Sequence, residues 1–258
     1  MIGVWDRLDV VEPGLLGRCW WEVDEARRDV EVLAWVGRFR FVTPQAISER
    51  FGVSWQRANA RVRRLERLGL VGCERAHVSQ PRAVFLTGRG HELLGWPRRR
   101  APRAQVQREH EAAIVWLVTR LEREAAETVR VLTERECRRF EADGDERYSV
   151  DVGSADGFRR RWPDVVVEIG GARRAIEVEF AAKGSARLAA IVAAYEQSGY
   201  REVLVFVRSA ALGRRIAALC ARADDPLARF GAQRCVVVLP WPGLPADSQR
   251  RLAWSLAG

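Results

Sequence analysis

Apolar residues in the N-terminal third of the chain recur every three to four positions in three consecutive stretches, the spacing of helices that bury one face. The second stretch starts with Thr43 and Pro44; a threonine hydroxyl caps a first turn, in which proline needs no amide partner. Ser54 is placed to cap the third stretch, and a glycine follows both the second and the third. The pattern predicts helices over residues 29–39, 44–51 and 55–68.

Two short strand-like stretches and a further short helix are predicted next, over residues 70–75, 83–87 and 90–94. Helices followed by a two-stranded ribbon form the element order of a winged helix. Residues 29–95 resemble bacterial winged helix-turn-helix proteins in the segments TPQAISERFGVSWQRANARVRRLERLGLV and AVFLTGRGHELL. This resemblance implies a domain that binds double-stranded DNA.

The third helix is the recognition helix in this resemblance, and it enters the major groove. Ala58, Val62 and Leu65 have core spacing and are predicted to face inward. Arginine suits guanine and amide side chains suit adenine, whereas arginines farther along the helix and in the wing suit phosphates. The predicted base readers are Gln56, Arg57 and Asn59, and the predicted phosphate contacts are Arg61, Arg64, Arg75 and Arg82. A solvated basic helix and a winged helix that contacts protein are the open alternatives.

Residues 1–28 form an N-terminal segment without an informative pattern. Residues 96–106, WPRRRAPRAQV, combine prolines with four arginines and are predicted to be a basic linker. Such a linker lies along a DNA backbone or is simply solvated, and both interpretations stay open. The winged-helix domain is therefore predicted over 29–95 and a second domain over 107–258.

Apolar strands alternate with helices in the second domain, which predicts a mixed α/β core. The charged segment 135–158 is predicted to be a loop. The predicted helices cover residues 107–124, 185–197 and 211–221, and the predicted strands cover 128–133, 162–169, 173–180, 203–207 and 235–239. The order is αβββαβ, extended by one more helix and strand.

A predicted hairpin in this domain brings carboxylates together. If Gly170 and Gly171 form a two-residue turn, the register places Asp164 opposite Glu177, and the strand period of two places Glu179 on the same face. Like charges this close repel each other, and a divalent metal with oxygen ligands relieves that repulsion. The alternative is an ordinary exposed hairpin face whose glutamates pair with arginines. The candidate arginines are Arg173, Arg174 and Arg187.

Pro163-Asp164, Glu177-Val178-Glu179 and the αβββαβ order resemble the PD-(D/E)XK nuclease superfamily, which has a restriction-endonuclease-like fold. The resemblance implies that Asp164 and Glu177 bind Mg²⁺ or Mn²⁺ and that a lysine helps to activate the attacking water. Glu179 occupies the position of that lysine and is a further candidate ligand. Lys183 lies four residues on and is the candidate replacement, so the predicted catalytic set is Asp164, Glu177, Glu179 and Lys183.

The composition of the 258 residues changes this picture in three ways. The net charge of +9 favours a polyanionic partner. Lys183 is the single lysine among 43 basic residues, and a lysine can be tuned in charge whereas an arginine cannot. The five cysteines are scattered, which argues against a zinc site or a disulfide framework and favours the reducing cytoplasm. No membrane span and no nucleotide-binding motif is expected, and His110, between two glutamates on a helix, is expected to be solvated.

The two domains together resemble the replication-relaxation family of bacteria and plasmids. The predicted function is DNA binding linked to metal-dependent cleavage or processing of DNA, for example of mobile elements, on the nucleoid. Two alternatives stay open. One is a non-enzymatic regulator whose second domain mediates assembly, such as a homodimer. The other is a replication accessory protein with a degenerate nuclease fold that only holds DNA.

Overall fold

The computed structural model describes residues 20–75, 81–98, 105–124, 128–144, 146–154, 157–181, 183–222 and 236–241. The chain divides into two compact units, Met1–Pro102 and Arg103–Gly258. Most of the predicted basic linker and most of the predicted N-terminal segment lie outside the described residues, so the domain limits stay a prediction. None of the helices in these ranges combines the length and the apolar character that crossing a lipid bilayer requires.

The described residues of the first unit form four helices and a two-stranded antiparallel ribbon. They are α1 (Trp20–Gly37), α2 (Pro44–Phe51), α3 (Trp55–Arg67), β1 (Val71–Glu74), β2 (Ala83–Leu86) and α4 (Gly88–Leu93). Val42, just before α2, adds an isolated bridge to Val84 of β2 and so ties the helices to the ribbon. This is the element order predicted for a winged helix.

The predicted caps of α2 and α3 are confirmed. The Thr43 hydroxyl accepts a hydrogen bond from the Ala46 amide at 3.2 Å, and the Ser54 hydroxyl accepts one from the Arg57 amide at 3.3 Å. Gly52 ends α2 with a φ of +62°, a left-handed conformation that favours glycine. The predicted start of the first helix was wrong, because α1 begins at Trp20, nine residues before the predicted start at Asp29.

The second unit is a mixed α/β structure. Its helices are α5 (Gln105–Glu124), α6 (Glu134–Ala142), α7 (Ser185–Glu196) and α8 (Ala210–Arg222). Its strands are β3 (Val129–Thr133), β4 (Val150–Ser154), β5 (Gly157–Arg161), β6 (Val165–Ile169), β7 (Ala172–Glu179), β8 (Glu202–Val207) and β9 (Val236–Pro240). Five strands form one sheet in the order β3-β6-β7-β8-β9, antiparallel over its first three strands and parallel over its last three. The remaining strands, β4 and β5, pair as a separate antiparallel ribbon.

The prediction of a loop over 135–158 was wrong, because this segment contains α6, β4 and the start of β5. A capping box starts α6: the Thr133 amide donates to the Glu136 carboxylate at 2.9 Å, and the Glu136 amide donates to the Thr133 hydroxyl at 3.4 Å. Cys137 is fully buried beneath this otherwise charged helix. Because only a narrow stripe of α6 is apolar, its composition resembles that of a loop.

The predicted register of the β6–β7 hairpin is confirmed. Ile169 pairs with Ala172 and Val165 pairs with Ile176, across a turn in which Gly170 and Gly171 have φ of +55° and +79°. The two-residue turn whose twist matches that of the flanking strands requires positive φ at both central residues, and glycine adopts this conformation without strain. The register carries Asp164, one residue before β6, to the level of Glu177 on β7.

Candidate nucleic-acid interface and buried acidic centre

The recognition helix α3 buries the side that the sequence predicts. Ala58, Val62 and Leu65 are at most 1% exposed and anchor the helix in the core of the first unit. At 100° per residue, the opposite side of the helix carries four residues that are all exposed. They are Gln56, Ala60, Arg63 and Arg67. Two of the four are arginines, and Ala60, a small residue, lies among them, which allows a close approach.

The predicted base readers lie at the exposed N-terminal end of α3. Gln56 and Arg57 are exposed, and Asn59 is half-buried. Trp55, the first residue of the helix, has 51% of its surface exposed, which is high for the largest apolar side chain. The sequence placed Trp55 only as the start of this helix and did not predict its exposure.

Trp55 lines a cleft of about 210 Å³ that lies between α2, α3 and the wing. The lining residues are Thr43, Pro44, Gln45, Trp55, Asn59, Arg63, Arg75, Pro81 and Arg82. The cleft joins residues from the predicted base-reading and phosphate-contacting sets in one concave surface. The wing tip, residues 76–80, lies outside the described residues.

Two of the arginines predicted to contact phosphates form ion pairs within the protein. Arg61 and Arg64 donate to the two carboxylate oxygens of Asp29 on α1, at 3.0 Å and 2.9 Å. Asp29 is 7% exposed, so this charge depends on the two guanidinium groups for compensation. The arrangement holds the recognition helix against α1.

The wing arginines differ from each other. Arg82 pairs with Glu66 at the C-terminal end of α3, with a hydrogen bond of 2.7 Å, and so fixes the wing to the recognition helix. Arg75 is exposed at the end of β1. Five exposed arginines of the first unit have no acidic partner within the described part of the chain. They are Arg57, Arg63, Arg67, Arg75 and Arg89.

In the second unit, the three carboxylates selected from the sequence are buried and together form the acidic centre. Asp164 is 9% exposed, Glu177 4% and Glu179 7%, so they are not the exposed hairpin face of the alternative interpretation. Asp164 Oδ2 accepts a hydrogen bond of 2.9 Å from the amide of Val178, the residue between Glu177 and Glu179 on β7. This contact holds the Asp164 carboxylate against β7. Burial of three carboxylates requires cations or hydrogen-bond donors beside each of them.

His110 on α5 is the partner of Asp164, so the expectation of a solvated histidine was wrong. Its Nε2 lies 3.1 Å from Asp164 Oδ2. Burial acts to lower the pKa of His110, but the hydrogen bond and charge of Asp164 outweigh it and raise the pKa above 6.5. Burial likewise acts to raise the pKa of Asp164, and the contact with His110 overcomes it and lowers this pKa. Both shifts favour a charged pair.

Arg161 at the end of β5 neutralises Glu177. Its Nε donates to Glu177 Oε1 at 3.3 Å, its terminal nitrogen donates to Oε2, and the Tyr195 hydroxyl on α7 donates to Oε1. The charge of Glu177 raises the pKa of Arg161, while burial raises the pKa of Glu177 against the pull of Arg161. Both oxygens of this carboxylate are therefore engaged by protein donors.

Lys183 is the partner of Glu179, four residues earlier, and its Nζ contacts Glu179 Oε2. β7 ends at Glu179, so the chain bends and returns the lysine to the end of the strand. Burial, followed by the repulsion of Arg161, lowers the pKa of Lys183 to about 8. The single lysine of the chain thus lies beside the carboxylates with which it was grouped from the sequence.

Each carboxylate of the centre has its own cation, and this decides how well a metal fits. The described residues contain no group of three histidine, cysteine, aspartate or glutamate side chains arranged to hold a metal ion. The oxygens that a divalent cation needs accept hydrogen bonds from His110, Arg161, Tyr195 and Lys183 instead. As arranged, the residues do not fit Mg²⁺ or Mn²⁺, and the predicted metal site stays a prediction.

Sequence reasoning identified the carboxylates but missed three of their partners. His110, Arg161 and Tyr195 come from α5, β5 and α7, three elements outside the hairpin. Two of the three arginines proposed as partners bind elsewhere: Arg173 pairs with Glu168 at 3.1 Å, and Arg174 pairs with Glu202 at 3.3 Å. No local signal in the sequence distinguishes Arg161 from its neighbours.

Comparison with protein families supports the assignment of the first unit. The family described as winged helix-turn-helix DNA-binding matches residues 41–71, which cover α2, α3 and the first residue of β1. The chain therefore contains a winged helix-turn-helix DNA-binding domain near its N-terminus. No curated protein and no solved structure matches the chain.

Proposed function

We propose that this protein binds duplex DNA through α3 and the wing, and that its second unit is a nuclease-like fold that supports binding without cleaving. The observation that carries the first half is the exposed face of α3, with arginines that lack acidic partners among the described residues. The observation that carries the second half is the acidic centre, in which each carboxylate already has a protein cation.

At the DNA interface, Gln56, Arg57 and Asn59 read base edges from the N-terminal end of α3. The exposure of Gln56 and Arg57, and the position of Asn59 in the lining of the cleft, support this role. The phosphate contacts come first from the arginines without acidic partners, Arg63, Arg67 and Arg75. Arg61, Arg64 and Arg82 first position α3 and the wing through their ion pairs. They are secondary candidates for phosphate contacts.

Selection of bound sequences from random duplex DNA, followed by affinity measurement over a series of salt concentrations, tests this interface. Arg57→Ala is expected to relax the base preference, at a cost of about 1–3 kcal/mol for the preferred site. Arg63→Gln is expected to weaken binding to all sequences and to reduce the salt slope by about 0.9, one phosphate contact. Equal, sequence-independent losses in both variants would contradict the assignment of α3 as the reading helix.

The proposed fold of the second unit rests on element order and register. The element order is αβββαβ, formed by α5, β3, β6, β7, α7 and β8, and the four strands belong to one sheet. Helix α6 and the β4–β5 ribbon are inserted between β3 and β6. The carboxylates lie on and beside the central strand β7, where the PD-(D/E)XK resemblance expects them. A fold of this kind with an internally neutralised centre suits a regulator or a replication accessory protein on bacterial or plasmid DNA in the cytoplasm, as in the replication-relaxation family.

Metal-dependent cleavage is the second candidate function. It is favoured by the burial of Lys183 beside the carboxylates and by its pKa of about 8, which suits a group that gains and loses protons. Incubation of supercoiled plasmid with Mg²⁺ or Mn²⁺ separates the two candidates. Nicking that is lost in both Asp164→Ala and Glu177→Ala supports cleavage, whereas intact plasmid with an undiminished gel shift supports the binding protein.

A further inference from the structure

Trp55 begins α3 and is exposed at the end of the helix where the proposed function places the base readers. Its position in the helix is fixed, because the hydroxyl of Ser54, the preceding residue, caps the first turn. Gln56 and Arg57, the next two residues, are exposed as well. In recognition helices of this class, residues near the N-terminal end contact base edges, so Trp55 has the position of a base-contacting residue.

The surroundings of Trp55 favour nucleic acid as its partner. Trp55 lies within the segment that matches the winged helix-turn-helix DNA-binding family. The described residues that line its cleft include three arginines and no carboxylate. Arg82 is paired with Glu66. Arg63 and Arg75 have no acidic partner within the described part of the chain, so the cleft carries positive charge. This charge favours a polyanion over an apolar protein segment as the partner of the exposed ring.

The chemistry of the major groove indicates which group the ring contacts. An indole offers two apolar faces and a single hydrogen-bond donor, its ring N–H. Guanine, cytosine and adenine present only donors and acceptors at their major-groove edges, whereas thymine also presents its C5-methyl group. In unmodified duplex DNA, this methyl group is therefore the apolar partner that a base edge offers to Trp55. Contact between the two removes apolar surface of both from water.

We propose that Trp55 reads a thymine, by packing its indole against the C5-methyl group in the major groove. This inference rests on the proposed function, since it assumes that α3 enters that groove. Trp55 lies on the flank of α3 that lines the cleft, with Asn59 and Arg63 following at intervals of four residues. Arg57 lies about 200° further around the helix. The thymine is therefore a different base pair from the one that Arg57 reads.

The test uses the full chain and its preferred duplex selected from random DNA. Each thymine of that duplex is replaced in turn by deoxyuridine, which lacks only the C5-methyl group. At one thymine, the replacement is expected to weaken binding by roughly 4-fold, the value of one buried methyl group. The same replacement is expected to have no effect on Trp55→Ala and to weaken binding again in Trp55→Phe, which keeps an aromatic face. Leu93→Ala, at a 59% exposed apolar position of α4, is the matched control and is expected to behave like the unaltered protein.

The outcomes separate this inference from the proposed function. If no deoxyuridine replacement distinguishes the unaltered protein from Trp55→Ala, while Arg57→Ala relaxes the base preference, the thymine inference is overturned and the proposed function stands. A selection that yields no sequence preference would overturn both. 5-Methylcytosine carries the same methyl group, so tighter binding of 5-methylcytosine than of thymine at this position would overturn the assignment to thymine.

Discussion

Arg161 binds Glu177 with two guanidinium nitrogens, one on each carboxylate oxygen, and so supplies a positive charge in the middle of the acidic centre. The pair connects β5 of the ribbon to β7 of the main sheet. The side chain of Glu177 is 6% exposed and that of Arg161 24%, so little water is present to replace either partner.

The first prediction concerns this pair. Arg161→Met is expected to lower the free energy of unfolding by about 3–5 kcal/mol, because it leaves a buried carboxylate without its cation. The double variant Arg161→Met/Glu177→Gln is expected to be more stable than Arg161→Met alone, since no uncompensated charge remains. Urea unfolding of the unaltered protein and the two variants measures both effects. A double variant that is no more stable than Arg161→Met would contradict the pairing.

The second prediction concerns pH and the pair of His110 and Asp164. A raised histidine pKa contributes stability that is complete below 6.5 and is lost as pH rises through the raised value. A lowered aspartate pKa contributes stability that is present above 3.8 and is lost as pH falls through the lowered value. The difference in Tm between the unaltered protein and His110→Gln is therefore expected to be largest between pH 3.8 and pH 6.5 and to shrink as pH rises through the raised pKa of His110. A difference that does not change with pH would contradict a charged pair.

The third prediction concerns the attachment of the recognition helix. Asp29→Asn is expected to destabilise the first unit by about 1–3 kcal/mol, because Arg61 and Arg64 lose the charged acceptor that they share. Glu31→Gln on the same helix is the control; its pair with Arg27 is 3.6 Å long and exposed, so its loss is expected to cost about 0–1 kcal/mol. Thermal unfolding compares the two variants. Equal effects would mean that the Asp29 contacts do not hold α3 in place.

The fourth prediction concerns Lys183. Because it is the single lysine, an amine-reactive label followed by peptide mass spectrometry reports its titration separately from the N-terminal amine. Its labelling rate is expected to reach half of its maximum near pH 8, following its lowered pKa. Arg161→Met is expected to move this midpoint upward, since the repulsion of Arg161 contributes to the shift. A rate that continues to rise toward pH 10 would contradict the buried position.

Parts of this structure could be predicted because they follow from local rules. The Thr43 and Ser54 caps and the Gly170-Gly171 turn each involve residues within a few positions of one another. The turn alone fixes which residues of β6 and β7 face each other, and it therefore placed Asp164 beside Glu177.

The partners of the carboxylates could not be predicted in the same way. His110, Arg161 and Tyr195 reach the centre from three different elements, and their positions depend on how α5 and α7 pack on the sheet and how the ribbon folds back. Many arginines in the chain are equally suitable as partners of a carboxylate, so composition does not select one. The consequence for function is large, because the identity of these partners decides whether the centre holds a metal or its own cations.

Calorimetric titration of the full chain with Mn²⁺ tests this central claim most directly, with Asp164→Ala as the control. The account predicts the same heats for both proteins, because Asp164 and Glu177 are already neutralised by His110 and Arg161. Saturable binding of one or two ions to the unaltered protein, absent from Asp164→Ala, would contradict it and restore a metal-dependent nuclease.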